Sequence, residues 1–336
     1  MDEVNRFWER RLVRYADLIP CTNAFIDARS PGSNRKENFT IIGPGVAENP
    51  HQHVHISEPH GFNIGGARQP PNCTNSQHSH DTAEVFIIYS GTWRFVWGEF
   101  ADAGEVVLEA GDTISIPIHV FRGFENIGTD SGFMFSVLGG DDPGRVHWAP
   151  HVIEKARGYG LILLDNGQLV DTTVGESVPA ERTVVQPSAP DDIAYIHVPS
   201  AADMQRCVAR KPGPQAAWRE LAAPAAGVRE TPIIGGRTAD GVAPAPIGTA
   251  HGFTVRLLSF ERHAHLPLHT RDYPEVWIVT EGALTFTDEH GAGLTVTAGD
   301  TLTIPVGCWR SFANASDTTR AYVVRGGDDP GSWTWR

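Results

Sequence analysis

The segment HSHDTAEVFIIYSG places two histidines and a carboxylate, His78, His80 and Glu84, within one short stretch. His78 and His80 are two apart, so on one strand they face the same side, and Glu84 has the same parity. Three such ligands converging form a 2-His-1-carboxylate set. That set leaves coordination positions open and is associated with non-haem Fe(II) and O₂ chemistry, although Mn, Ni, Zn or Cu also use it. The expected cofactor is one divalent transition metal, Fe(II) first. A competing reading is a metal-free site in which Arg122 pairs with Glu84, because a buried arginine needs a carboxylate or phosphate partner.

The same pattern recurs. HGF occurs at His60 to Phe62 and again at His251 to Phe253, an offset of 191, and GGDDPG occurs at Gly139 to Gly144 and Gly326 to Gly331. In the second copy, HTRDYPEVWIVTEG puts His269, Arg271 and Glu275 where the first has His78, His80 and Glu84, and Arg310 where it has Arg122. Two arginines against one glutamate leave a surplus positive charge, which repels a dication and attracts an anion. A structural Arg-Glu-Arg cluster and an anion site both fit.

Short strand-like runs separated by Gly-rich turns, in the same order in both copies, must position these groups. The fold class expected is all-β, two tandem barrels with an N-terminal helix and a partly helical connector. Residues 1–35 form the helix and arm, with Val4, Phe7, Trp8 and Leu12 at helical spacing. Residues 36–148 form the first barrel and metal site, 149–240 the connector, and 241–336 the second barrel with its degenerate site. Within the connector, LILLDNGQLVDT reads as a hairpin about an Asn-Gly turn, and SAADMQRCVAR and PQAAWRELAA read as helices.

The spacing H-x-H-x3-E-x6-G, ending at Gly91, resembles the first motif of the cupin superfamily, and GDTISIPIHVFRGFEN resembles its second motif at Gly111, Pro117 and Asn126. His119 stands where the family has glycine, and Arg122 where it has its last metal-binding histidine. The second copy keeps Gly299, Pro305, Gly307 and Asn314. The resemblance implies two jelly-roll (double-stranded β-helix) cupin barrels, a bicupin. Chains of this length resemble metal-dependent ring-cleaving dioxygenases, which implies oxygen-dependent chemistry on a small, aromatic organic acid. Arg122 would then grip the anionic substrate, with His119 at the rim as a further catalytic candidate. Two alternatives stay open: an O₂-independent metal-dependent isomerase, lyase or hydrolase, and a non-catalytic protein binding small anions through Arg122 and Arg310.

Other features narrow the field. A formal net charge of −13 disfavours nucleic acid as a partner. No apolar run has the length of a spanning helix, and MDEVNRFWERRLVRYADLI lacks the features of a signal peptide, so a cytoplasmic protein is expected. A homo-oligomer stays open. Cys21, Cys73, Cys207 and Cys308 show no C-x-x-C spacing and read as reduced thiols. His51, His53 and His55 read as a solvated strand face, His263 and His265 as lining of the second site, and the paired aspartates of GGDDPG as turn residues.

Overall fold

The computed structural model describes residues 2–213, 219–220, 225–235, 245–329 and 333–336. The chain divides into two compact units, one of Met1–Leu18, Glu58–Phe62 and Pro212–Arg336, the other of Ile19–Ser57 and Asn63–Lys211. The segment read as an N-terminal helix and arm thus parts between Leu18 and Ile19.

The first barrel lies in the second of these units and is built from two antiparallel-dominated sheets. The seven-stranded sheet runs Val208–Ala209, Thr113–Ile116, Glu84–Ser90, Gly132–Gly139, Phe62–Gln69, Glu37–Ile42, Val54–Ile56, and the five-stranded sheet runs Val146–Trp148, Thr74–His80, Arg122–Asn126, Thr92–Trp97, Gly104–Glu109. Alternation along the strands sends Phe86, Ile88, Trp93, Phe95, Trp97, Ile114, Ile116 and Phe124 into one apolar core. The other barrel repeats the plan. Its sheets run Leu12–Val13, Thr301–Ile304, Glu275–Glu281, Thr319–Gly326, Phe253–Phe260, Val228–Ile234, Arg219–Glu220, and Gly293–Thr297, Ala283–Asp288, Arg310–Asn314, His265–Thr270, Thr334–Trp335.

Each barrel carries a matching helix-and-strand clip at the same sheet edge. In one, the helix Asp2–Glu9 delivers Trp8 to the core, and Leu12 pairs with Leu302. In the other, the helix Ala201–Arg206 delivers Met204, and Val208 pairs with Ile114. The polar fastenings match as well. Arg14 Nη1 reaches Asp300 Oδ2 at 2.7 Å and Arg210 Nη1 reaches Asp112 Oδ2 at 2.8 Å, while the backbone N–H groups of Tyr15 and Lys211 donate to the same two carboxylates. The duplication therefore extends upstream of each barrel, with the clip preceding one barrel in sequence docked on the other.

The Asn-Gly hairpin forms as Leu161–Leu163 against Leu169–Asp171. The expectation of a helix over PQAAWRELAA falls mostly outside the described residues. Its Arg219–Glu220 pair is instead a strand, held antiparallel to Glu230 and Arg229 at the edge of a sheet whose ladder overrides the local helical propensity.

Candidate metal centre and its degenerate twin

His78 and His80 end the Thr74–His80 strand of one sheet, and Glu84 opens the Glu84–Ser90 strand of the other. The three ligands thus meet across the barrel, because the chain turns at 81–83, and do not line one strand as the parity reading supposed. They are all buried, and one ligand atom from each lies within 4.8 Å of the others. His80 Nε2 is 3.6 Å from Glu84 Oε2.

Each imidazole is fixed through its Nδ1. His78 Nδ1 faces the Ser76 carbonyl at 2.7 Å and His80 Nδ1 the Arg145 carbonyl at 3.3 Å, which leaves each Nε2 for a cation. Burial, reinforced by the Arg122 charge, pushes both rings well below the ordinary histidine range, so both are neutral, as metal ligands must be. Burial pushes the Glu84 carboxyl up, and Arg122 opposes that. The donor set therefore fits a divalent transition metal.

Arg122 lies in register with His78 on the neighbouring strand. Its Nη2 donates to Glu84 Oε2 and its Nη1 donates to the His78 carbonyl at 2.8 Å, so both terminal nitrogens are taken by the protein. The guanidinium expected to grip a substrate is instead shared between Glu84 and the His78 carbonyl. Arg122 and His80 both approach Glu84 through Oε2. His119 sits at the rim, its ring 4.8 Å from that of Tyr195 and its Nε2 3.9 Å from Asp81 Oδ1. Its φ of +57°, like the +76° of Gly307 in the twin, explains why this turn position suits glycine.

A cavity of about 60 Å³ opens onto the three ligands, lined also by Gly65, Phe86, Phe124, Leu138 and Trp148. Arg122 and His119 do not line it. Among residues that motif reading missed, Trp148 packs 5.2 Å from His78 and Asn75 Nδ2 lies 3.4 Å from His78 Nδ1. The repeat GGDDPG-x3-W marks Trp148, with Trp335 in the second copy, but not its place beside His78.

The twin brings His269, Arg271, Glu275 and Arg310 together as the repeat predicts, all of them buried. Arg310 Nη2 donates to Glu275 Oε2, and Arg271 Nε lies 3.6 Å from Oε1. Two further charged residues join them. Arg325 Nε donates to Glu275 Oε1 at 2.6 Å, and its Nη1 donates to Glu230 Oε1 at 3.1 Å. Despite burial, three arginines hold Glu275 far below the usual carboxylate range. Burial and Arg310 push His269 down to about 3, and burial beside Arg325 presses Arg271 down. Arg325 stands where the first copy has Leu138, a difference visible in VVRGGDD against SVLGGDD.

Elsewhere, His55 accepts from the Ile19 N–H and faces the Thr40 carbonyl, so the histidines at 51, 53 and 55 include one fixed in backbone contacts. The four cysteines are free. No helix among the described residues is long and apolar enough to cross a membrane.

A family description, the cupin domain, matches residues 67–138 and 256–325. Solved structures of similar fold include oxalate decarboxylase of Lactobacillus farciminis in a formate complex, 13% identical, with TM-score 0.53 over 94% of this chain and 86% of that one. Procruciferin, the 11S globulin of Brassica napus, is 15% identical with TM-score 0.50 over 80% and 77% of the two chains. Vicilin of Corylus avellana is 11% identical with TM-score 0.52 over 96% and 87%. At these identities the likeness is one of fold, and it joins a decarboxylase to an 11S globulin and a vicilin. No curated protein sequence matches.

Proposed function

The chain carries two cupin domains, and we propose that the first holds one divalent transition metal, Fe(II) first among candidates, and acts as a dioxygenase on a small organic acid. The observation that supports this is the convergence of His78, His80 and Glu84 in one buried cavity. When bound, the metal supplies a Lewis acid with open positions for O₂ and an acid oxygen. The residues of the chain do the rest. The Ser76 and Arg145 carbonyls fix the two rings, Arg122 positions the Glu84 carboxylate, and Phe86, Phe124 and Trp148 give the cavity an apolar wall.

The cavity size narrows the substrate. An engineered cavity of roughly 150 Å³ takes up benzene, whereas this one measures about 60 Å³, so an acid of a few non-hydrogen atoms fits better than an aromatic one. A second reading, a metal-free binding protein, is favoured by the Arg122–Glu84 ion pair. Metal analysis of untagged protein, followed by oxygen uptake with a panel of small carboxylic acids, separates them. One metal per chain and acid-dependent oxygen consumption are expected. Metal with no oxygen uptake would favour O₂-independent chemistry, and no metal would favour the binding protein.

A further inference from the structure

A buried ion pair lies behind the ligands of the first barrel. Lys36 and Asp27 are both buried, and Lys36 Nζ donates to Asp27 Oδ1 and, at 2.6 Å, to Asn75 Oδ1. Asp27 Oδ2 accepts from the Ser76 N–H at 3.0 Å. A lysine ammonium has donors and no acceptor, so the Asn75 atom that meets it must be the carbonyl oxygen, which settles the orientation of the carboxamide. The carboxamide nitrogen is turned the other way, 3.4 Å from His78 Nδ1. That ring nitrogen already gives its proton to the Ser76 carbonyl at 2.7 Å, so it cannot accept from Asn75. The buried Asn75 lines the cavity onto which the three ligands open, and no lysine or arginine lines it. What Asn75 offers there is an N–H donor, and a buried donor calls for an acceptor.

The second barrel shows that holding a histidine does not require this network. Asn75 pairs with Phe124 and His78 with Arg122 in the first barrel, as Leu266 pairs with Phe312 and His269 with Arg310 in the second. His269 Nδ1 meets the Pro267 carbonyl at 2.7 Å, just as His78 Nδ1 meets that of Ser76. Yet Leu266 is a core residue, and Pro267 has no N–H to give a carboxylate. The ion pair and the amide therefore accompany the barrel that keeps both histidines and the cavity. We infer that Asn75 orients the ligand of the first barrel: held by Lys36, its amide donates to one oxygen of a small carboxylate whose other oxygen lies toward His78, His80 and Glu84. The inference rests on the reading of these three residues as a metal centre for a small acid. A carboxylate takes both contacts at once, whereas chloride offers a single acceptor atom.

The test is calorimetric titration of the full chain with Mn(II), and then of the Mn(II)-loaded chain with acetate against chloride at matched ionic strength. The parent should take up Mn(II) and then acetate, each saturably and at a single site. Asn75→Leu, which installs the residue of the second barrel, should hold Mn(II) as tightly as the parent and acetate roughly tenfold or more weakly, the loss expected of a hydrogen bond to a charged group. Asn75→Asp keeps an acceptor for Lys36 and replaces the donor by an oxygen. It should keep Mn(II) and lose acetate more completely, and it keeps the inference falsifiable should Asn75→Leu fail to fold. Asp27→Asn/Lys36→Met, which removes the ion pair whole, should likewise weaken acetate at retained Mn(II), because nothing then turns the amide. Acetate binding left at the parent's strength in Asn75→Leu and Asn75→Asp, or a Mn(II)-loaded parent that treats acetate as it treats chloride, would overturn the inference and make the network a brace of the fold, with the metal centre intact. A parent that takes up no Mn(II) would overturn the metal reading, and this inference with it.

Discussion

At the residue scale, the two barrels use one arginine position in the same way. Arg122 and Arg310 each neutralise the glutamate that opens the facing strand. Removing Arg122 leaves Glu84 buried and unpaired, which typically costs about 3–5 kcal/mol. A cation on His78, His80 and Glu84 replaces that compensation. Arg122→Gln is therefore expected to lower the melting temperature of metal-stripped protein strongly and that of metal-loaded protein much less, as read by thermal melts with and without added metal. An equal loss in both states would show that the cation does not engage Glu84. His78→Ala or His80→Ala should abolish metal uptake in elemental analysis, whereas His269→Ala should leave it unchanged. His269 has its own pH signature. Its folded pKa is depressed from 6.5 to about 3, so the unfolded chain binds the extra proton first. The stability from this group is complete above pH 6.5 and drains away as pH falls toward 3. Between pH 7 and pH 5 the parent should lose about 2 kcal/mol that His269→Phe does not, measured by denaturant midpoints at both pH values.

At the element scale, the clips explain why short, weak segments are ordered. Leu12–Val13 and Val208–Ala209 are two-residue strands, too short to hold a sheet edge alone. What fixes them is the buried anchor upstream and the carboxylate downstream. Trp8 also donates from its indole nitrogen to Asp288 Oδ2 at 2.8 Å, and Trp8→Ala should cost about 3–5 kcal/mol through the cavity and the lost partner. Asp112→Ala and Asp300→Ala should each cost about 1–2 kcal/mol, since the arginine is half exposed and the lost acceptor for a backbone N–H dominates. Faster hydrogen exchange at Val208–Lys211 or Leu12–Tyr15, respectively, checks each. The sequence disclosed the helical spacing of Val4, Phe7 and Trp8, but not which barrel the segment serves. Docking partners depend on a long-range register, Leu12 with Leu302, that no local pattern encodes. The ligand positions were legible because motif spacing survives in both copies. Their meeting across two sheets was not, since the turn at 81–83 decides it. Arg325 escaped notice because it falls outside the motifs, at a position where only a residue-by-residue comparison of the copies shows a leucine replaced.

At the scale of the whole molecule, one ancestral plan has been filled in two ways. The first copy keeps a small cavity among neutral imidazoles, and the second packs arginines against Glu230 and Glu275 in the corresponding space. Each unit has its own apolar core, one around Phe86, Trp93 and Phe124 and the other around Trp277, Phe286 and Phe312. Separate cores of this size permit separate unfolding steps, so heating should resolve two transitions. A ligand that binds only the native form raises the stability of the unit that holds it, by about 2.7 kcal/mol at a hundredfold excess over its dissociation constant. Added divalent metal should therefore move only the transition of the Ile19–Ser57 and Asn63–Lys211 unit, and a chelator should reverse the shift. The assignment is made by Trp8→Ala, which must lower the other transition because Trp8 belongs to the other core. Metal that shifted the Trp8-sensitive transition would place the cation in the arginine-rich barrel, and a parent in which both transitions moved together would show that the two cores unfold as one.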